Sequence, residues 1–85
     1  MTRATEVYAR EFDLIFFKLP PTVREAIESK IYQLGSRLGD YPHQRLTGRP
    51  EYRLRVGDYR VIYEFNREQN LLYLIALGNR REIYR

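Results

Sequence analysis

Cysteine is absent from the 85-residue chain, and histidine occurs once. The first absence excludes disulfides and thiolate metal sites and fits a reducing compartment. The second leaves little for imidazole metal chemistry, and the sequence implies neither a metal nor a cofactor. Lysine is scarce too: only Lys18 and Lys30 among fifteen basic residues, so arginine carries the positive charge. No apolar run approaches the ~20 residues of a membrane span. Met1 to Glu6 lack the apolar stretch of a signal peptide. These absences predict a cytoplasmic protein with no membrane contact. There are no internal repeats, low-complexity tracts or linkers, and a chain this short forms one domain, residues 1–85, burying roughly 60% of its unfolded surface.

What is present is unevenly placed charge. Residues 1–44 carry six basic and six acidic side chains, whereas residues 45–85 carry nine arginines against five acids, which accounts for the whole net charge of +4. The planar fork of arginine suits bidentate contact with phosphate and stacking on bases. A basic half built from arginine is the electrostatic footprint of a nucleic-acid binder, set against the plainer reading of a solvated surface.

The densest pattern lies between Glu51 and Phe65. Tyr52, Leu54 and Val56, then Tyr59, Val61, Tyr63 and Phe65, alternate with polar residues at the period of a strand with one buried face. Gly57-Asp58 has the chemistry of a two-residue type II′ turn, with glycine supplying the positive φ. That turn predicts Val56 opposite Tyr59 and Arg55 opposite Arg60, with Arg53 on the same face. Like charges directly opposite destabilise a sheet. A fold that accepts this has an anion to place there, and phosphate fits the fork.

Around the hairpin the pattern predicts an α+β fold of order β-α-α-β-β-β, two helices packed on a small, mostly antiparallel sheet. Thr5 to Tyr8 reads as a short edge strand. Phe12, Ile15, Phe16 and Leu19 share a helical face, and Pro20-Pro21 ends that helix. Thr22 to Glu25 has the form of a capping box opening a second helix, with Val23, Ile27, Ile31, Leu34 and Leu38 inward and Gly35 or Gly39 at its end; the two helices are expected as an antiparallel hairpin. Asp40 to Pro50 reads as a connection. Asn66 to Asn70 is a turn, and Leu71 to Gly78, apolar on both faces, is a central strand. Tyr52, Tyr59, Tyr63 and Tyr73 fit the core pattern. Directly after the central strand, Arg80 and Tyr84 fall near Arg60 if that strand runs beside the hairpin.

Taken in order, Lys18-Leu19-Pro20, Leu46-Thr47-Gly48, Tyr52-Arg53-Leu54-Arg55, Tyr59-Arg60-Val61-Ile62-Tyr63 and Gly78-Asn79-Arg80-Arg81-Glu82-Ile83-Tyr84 resemble the RelE/ParE toxin superfamily of bacterial toxin–antitoxin modules, and its RelE branch more closely. The resemblance implies a microbial-RNase-like sheet with two covering helices and a metal-independent endoribonuclease that cuts mRNA in the ribosomal A site. It also implies 16S rRNA contacts and a cognate antitoxin, whose segments should be acidic or amphipathic to meet the +4 half of the chain. By residue it implies Arg60, Arg80 and Tyr84 as catalytic and Arg53 and Arg55 as phosphate-binding. Arg81 reads as a contact to RNA phosphate or as a surface ion pair with Glu82. Two positions depart from the family pattern: the best-known members carry Lys where this chain has Arg53 and Arg55, and relatives often carry His or Lys where it has Asn79.

Metal-free RNA cleavage asks for three things: a proton removed from the 2′-hydroxyl, a stabilised phosphorane, and a proton for the leaving oxygen. The arginines suit the second and suit proton transfer poorly, because guanidinium pKa values exceed ~12. Tyr84 is the titratable candidate. Bringing a phenol from ~10 to near 7 takes roughly 4 kcal/mol of preference for phenolate, which several partly desolvated arginines can supply. Base stacking and a structural role stay open for it. His43 is the only residue of a type that titrates near neutrality, but it sits in a loop remote in sequence from the arginines. Glu64 is read as either orienting Arg60 or serving as a strand-edge carboxylate. The alternative functions are a ParE-like inhibitor of DNA gyrase without nuclease activity, and a non-catalytic RNA-binding module.

Overall fold

Two adjacent prolines decide how the helical half is built. In the computed structural model, which describes residues 2–79, helix α1 runs Arg10–Phe16 and helix α2 runs Pro21–Ser36. Pro20 is held extended at φ −59°, ψ 150°, and Pro21 takes the first helical position of α2. There its fixed φ is already helical and its missing N–H is one the helix would leave unbonded anyway. The expected capping box is therefore displaced: Thr22 and Glu25 lie inside the helix, and no side chain caps its start. Neither Gly35 nor Gly39 ends α2, which stops at Ser36 with Arg37 as C-cap. Gly35 lies inside the helix instead. Its carbonyl accepts the Ala4 N–H at 3.0 Å, and a Cβ there would come within 3.4 Å of Arg3 Cγ and 3.7 Å of Leu72 Cδ2.

The strands are β1 Thr5–Tyr8, β2 Gln44–Arg45, β3 Tyr52–Val56, β4 Tyr59–Asn66 and β5 Leu71–Asn79, in one sheet of order β1-β5-β4-β3-β2. All pairings are antiparallel except β1 with β5. The α+β architecture is thus the expected one, with β1 on an edge and β5 in the interior. The two-residue β2, hidden within the expected connection, is an addition.

The main backbone approaches of the helices are to the sheet, α1 to β5 and α2 to β3, so they share one core with it. Phe12, Phe16, Ile27, Ile31 and Leu34 meet Leu54, Val56, Val61, Tyr63, Leu72, Leu74 and Leu77. Ile15, expected inward, is 37% exposed. In β5 a regular strand would put Leu71, Tyr73, Ile75 and Leu77 on one face, and that alternation is broken. Ile62 pairs with Ala76 but Tyr63 pairs with Leu74, so Ile75 is an extra residue, a β-bulge. Leu77 on one side of it and Leu74 and Leu72 on the other therefore share the core face. Tyr73, in register with Glu64 and Val7, is moved to the opposite face and is not a core residue.

Candidate nucleic-acid interface

The hairpin turn decides where the arginines meet. Gly57 has φ +58°, and Asn70 is the sole non-glycine residue with positive φ among the described residues. A positive φ at the first central residue alone is the signature of a type II′ turn. The register follows as expected: Val56 opposite Tyr59, Arg55 opposite Arg60, and Arg53 opposite Ile62. The pair flanking such a turn, Val56 and Tyr59, is hydrogen-bonded, so the next, Arg55 and Arg60, is a non-hydrogen-bonded one, with Cα atoms about 4.5 Å apart and side chains drawn together. Leu54 and Val56 are buried beneath the helices while Arg53 and Arg55 are exposed, so the cations occupy the face that α1 and α2 do not cover.

Arg60 is half-buried at the centre of this group, between Arg55 on β3 and Gly78 on β5. Glycine there adds no side chain to the face. Ile62, Ala76 and Gly78 follow Arg60 in register as a small apolar floor, and Ile62 is only 5% exposed. Because β5 does run beside β4, the chain reaches Gly78 and Asn79 directly alongside Arg60 and Tyr59. Arg80, Arg81 and Tyr84, the other expected site residues, lie outside the described residues. Around the end of the hairpin, Ile15, Lys18, Leu19, Tyr59, Leu77, Gly78 and Asn79 line a groove of about 500 Å³, which brings a lysine from the helical side toward the same end of the sheet.

The arginines differ in what holds them. Arg3, Arg37 and Arg49 each face a carboxylate, from Glu6, Asp40 and Glu51 respectively. Arg53 is held by a neutral group instead: its Nε–H donates to Gln44 Oε1 at 3.2 Å across the β2–β3 pair. Periodicity could not reveal Gln44, because a two-residue strand has no period to read. Glu64 makes no ion pair with Arg60; its cross-strand neighbour is Tyr73.

His43 belongs to the other side of the sheet. Its ring stacks on Phe65 with centroids 4.2 Å apart, beside Tyr41, Tyr52 and Tyr63. Its Nε2 lies 2.9 Å from the Leu38 carbonyl and its Nδ1 2.7 Å from the Tyr63 hydroxyl. A carbonyl only accepts, so Nε2 carries the proton and the Tyr63 O–H donates to Nδ1. Both nitrogens are thus occupied on the core face, and a catalytic part in the arginine site is closed to this residue.

The charge pairing has a consequence for stability. Replacing Arg55 with Thr removes one member of a like-charged cross-strand pair and installs a better strand former. Urea denaturation is expected to show Arg55→Thr more stable than the wild type by about 0.2–1 kcal/mol. A less stable variant would mean that the pair does not repel.

The fold is similar to that of three solved relatives. In the toxin–antitoxin complex RelBE2 from Mycobacterium tuberculosis, identity is 19% over 96% of this chain and 97% of that one, with a TM-score of 0.76. The isolated Escherichia coli RelE toxin gives 20%, 95%, 90% and 0.76 for the same quantities, and the archaeal RelE–RelB complex from Pyrococcus horikoshii gives 23%, 96%, 99% and 0.75. No curated protein matches by sequence. A family model described as the ParE toxin of the type II toxin–antitoxin system, parDE, matches residues 2–84, and the chain therefore belongs to the RelE/ParE toxin superfamily, with the RelE-like fold.

Proposed function

We propose that this toxin is a ribosome-dependent endoribonuclease that cuts mRNA in the A site and so arrests translation. The observation that carries the reading is the Arg55–Arg60 cross-strand pair beside Arg53 on the face the helices leave uncovered. The 2′-oxygen of the nucleotide on the 5′ side attacks phosphorus, the bond from phosphorus to the 5′-oxygen breaks, and a 2′,3′-cyclic phosphate and a free 5′-hydroxyl result. One proton leaves the 2′-hydroxyl and one reaches the 5′-oxygen. Arg53, Arg55 and Arg60 hold the phosphate and stabilise the charge that builds in the phosphorane, with Arg80 and Arg81 extending the group. Tyr84 is the proton carrier in this scheme, because guanidinium groups do not release protons near neutrality. So small a site gains from a ribosome that holds mRNA in attack geometry and supplies 16S rRNA contacts.

A cytoplasmic cognate antitoxin completes the system. Leu14 on α1 and Phe17 at its C-cap are 51% and 68% exposed and, with Arg10, Lys18, Tyr8 and Asp13, line a groove of about 540 Å³. An amphipathic, acidic segment fits an apolar strip flanked by two cations. The complex is expected to weaken as salt shortens the Debye length from about 10 Å at 0.1 M to about 3 Å at 1 M. Affinity that is flat across that range would assign the contact to apolar packing alone.

Gyrase inhibition without cleavage is the second reading, favoured by the ParE description of the matching family. Mapping mRNA 5′ ends after expression in a bacterium separates the two. Codon-phased new ends that vanish in Arg60→Ala and Tyr84→Phe support the nuclease. Intact mRNA with DNA-damage induction would overturn it in favour of gyrase, and translation arrest without new ends would point to RNA binding alone.

A further inference from the structure

We propose that Gln44 is a positioning residue that sets the direction of the Arg53 fork; this rests on the nuclease reading above. Strand β2 is two residues long, and its Gln44 pairs in register with Arg53. The side chains are joined as well, Gln44 Oε1 accepting the Arg53 Nε–H at 3.2 Å. A guanidinium has five N–H donors in a fixed plane. Holding Nε at the sheet edge fixes that plane and leaves the end-on pair of Nη donors to meet a phosphate with two parallel bonds.

The chemistry of the partner matters as much as its place. A glutamate at this position would hold the fork equally well but would cancel its charge, as the carboxylates beside Arg3, Arg37 and Arg49 do. An amide oxygen orients the cation and leaves its full charge for the RNA. Both residues are exposed, so a freely rotating arginine would otherwise spend most of its time in other directions. Gln44 therefore acts on binding and register of the RNA through Arg53, with no contact to the reacting atoms.

The test is a double-mutant cycle on the full chain, assayed for mRNA cleavage on programmed ribosomes, with Gln44→Ala, Arg53→Ala, the pair, Gln44→Glu and, as a control on the nuclease reading, Arg60→Ala. Gln44→Ala should raise the half-saturating ribosome concentration about three- to tenfold, leave kcat within about twofold, and add nothing in the Arg53→Ala background. Gln44→Glu should reduce the salt dependence of binding by about one phosphate contact. In NMR spectra of the free protein, the Arg53 Nε–H cross-peak should shift and exchange faster in Gln44→Ala, while the melting temperature stays within about 2 °C of wild type. Additive effects of the two alanines would show that Gln44 touches RNA itself, and an unchanged Nε–H signal would show that it does not hold the fork; either overturns the inference. An indifferent Arg53→Ala beside an inactive Arg60→Ala also overturns it and leaves the nuclease standing, whereas a wild-type chain that cuts no mRNA on programmed ribosomes overturns the nuclease reading itself.

Discussion

Arg60→Ala is expected to slow mRNA cleavage about 10²- to 10³-fold. Arg60 is the one member of the cationic hairpin that is both central and half-buried, with Arg55 across one strand boundary and the bare Gly78 across the other. In that setting water screens its charge less than it screens the exposed Arg53 and Arg55, so each unit of charge developing on the phosphorane is met more strongly. The donor is in place before the reaction, which is why its loss should fall on kcat rather than on binding. Arg60→Lys separates charge from shape: it keeps the cation but not the paired donors, and should recover part of the rate and not all of it. The measurement is the single-turnover appearance of cut mRNA on programmed ribosomes, with circular dichroism as the check on folding. A folded Arg60→Ala protein cutting at the wild-type rate would remove the arginine face from the chemistry.

How much of this was legible in the sequence differs from element to element. The hairpin could be read to the residue, because turn chemistry at Gly57-Asp58 and a period of two on both sides specify the same register. The phase of β5 could not. A single extra residue at Ile75 sends Tyr73 to the arginine face and Leu74 to the core, and a bulge leaves no mark in a run where every residue is apolar. The start of α2 lies two positions before the expected one because Pro21 takes N1, with Pro20 as N-cap in place of Thr22, and proline at N1 needs no capping side chain. His43 is the instructive case. It directly precedes Gln44, which is bonded to Arg53, yet its ring lies on the core face, and only the fold shows that both ring nitrogens are bonded there. Gln44 was invisible for the opposite reason, since its significance depends wholly on Arg53 lying beside it.

Tyr63 is where the largest loss of stability is expected. It is the largest fully buried side chain among the described residues, stacked near Tyr52 at 5.7 Å, with its hydroxyl 2.7 Å from His43 Nδ1. Tyr63→Ala removes a buried aromatic ring, a change that costs about 3–5 kcal/mol. For a domain of this size the whole stability is about 4–13 kcal/mol, so the variant should be largely unfolded or close to it. Tyr63→Phe keeps the ring and removes only the donor, stranding His43 Nδ1 for about 1–3 kcal/mol. The same hydroxyl makes stability depend on pH in the alkaline range. Burial, with further contributions from Tyr41 and Tyr52, raises the Tyr63 phenol above its ordinary value, and burial together with the Glu6 carboxylate does the same to Tyr8. A raised folded pKa means the native state keeps protons that the unfolded chain releases, so this stability is complete below about pH 10, the unfolded phenol value, and declines as pH rises beyond it. Urea midpoints measured at about pH 9 and pH 11 should therefore fall for the wild type and fall less for Tyr63→Phe, with the slope that remains belonging to Tyr8. An identical fall in both proteins would mean that the Tyr63 hydroxyl ionises as readily folded as unfolded.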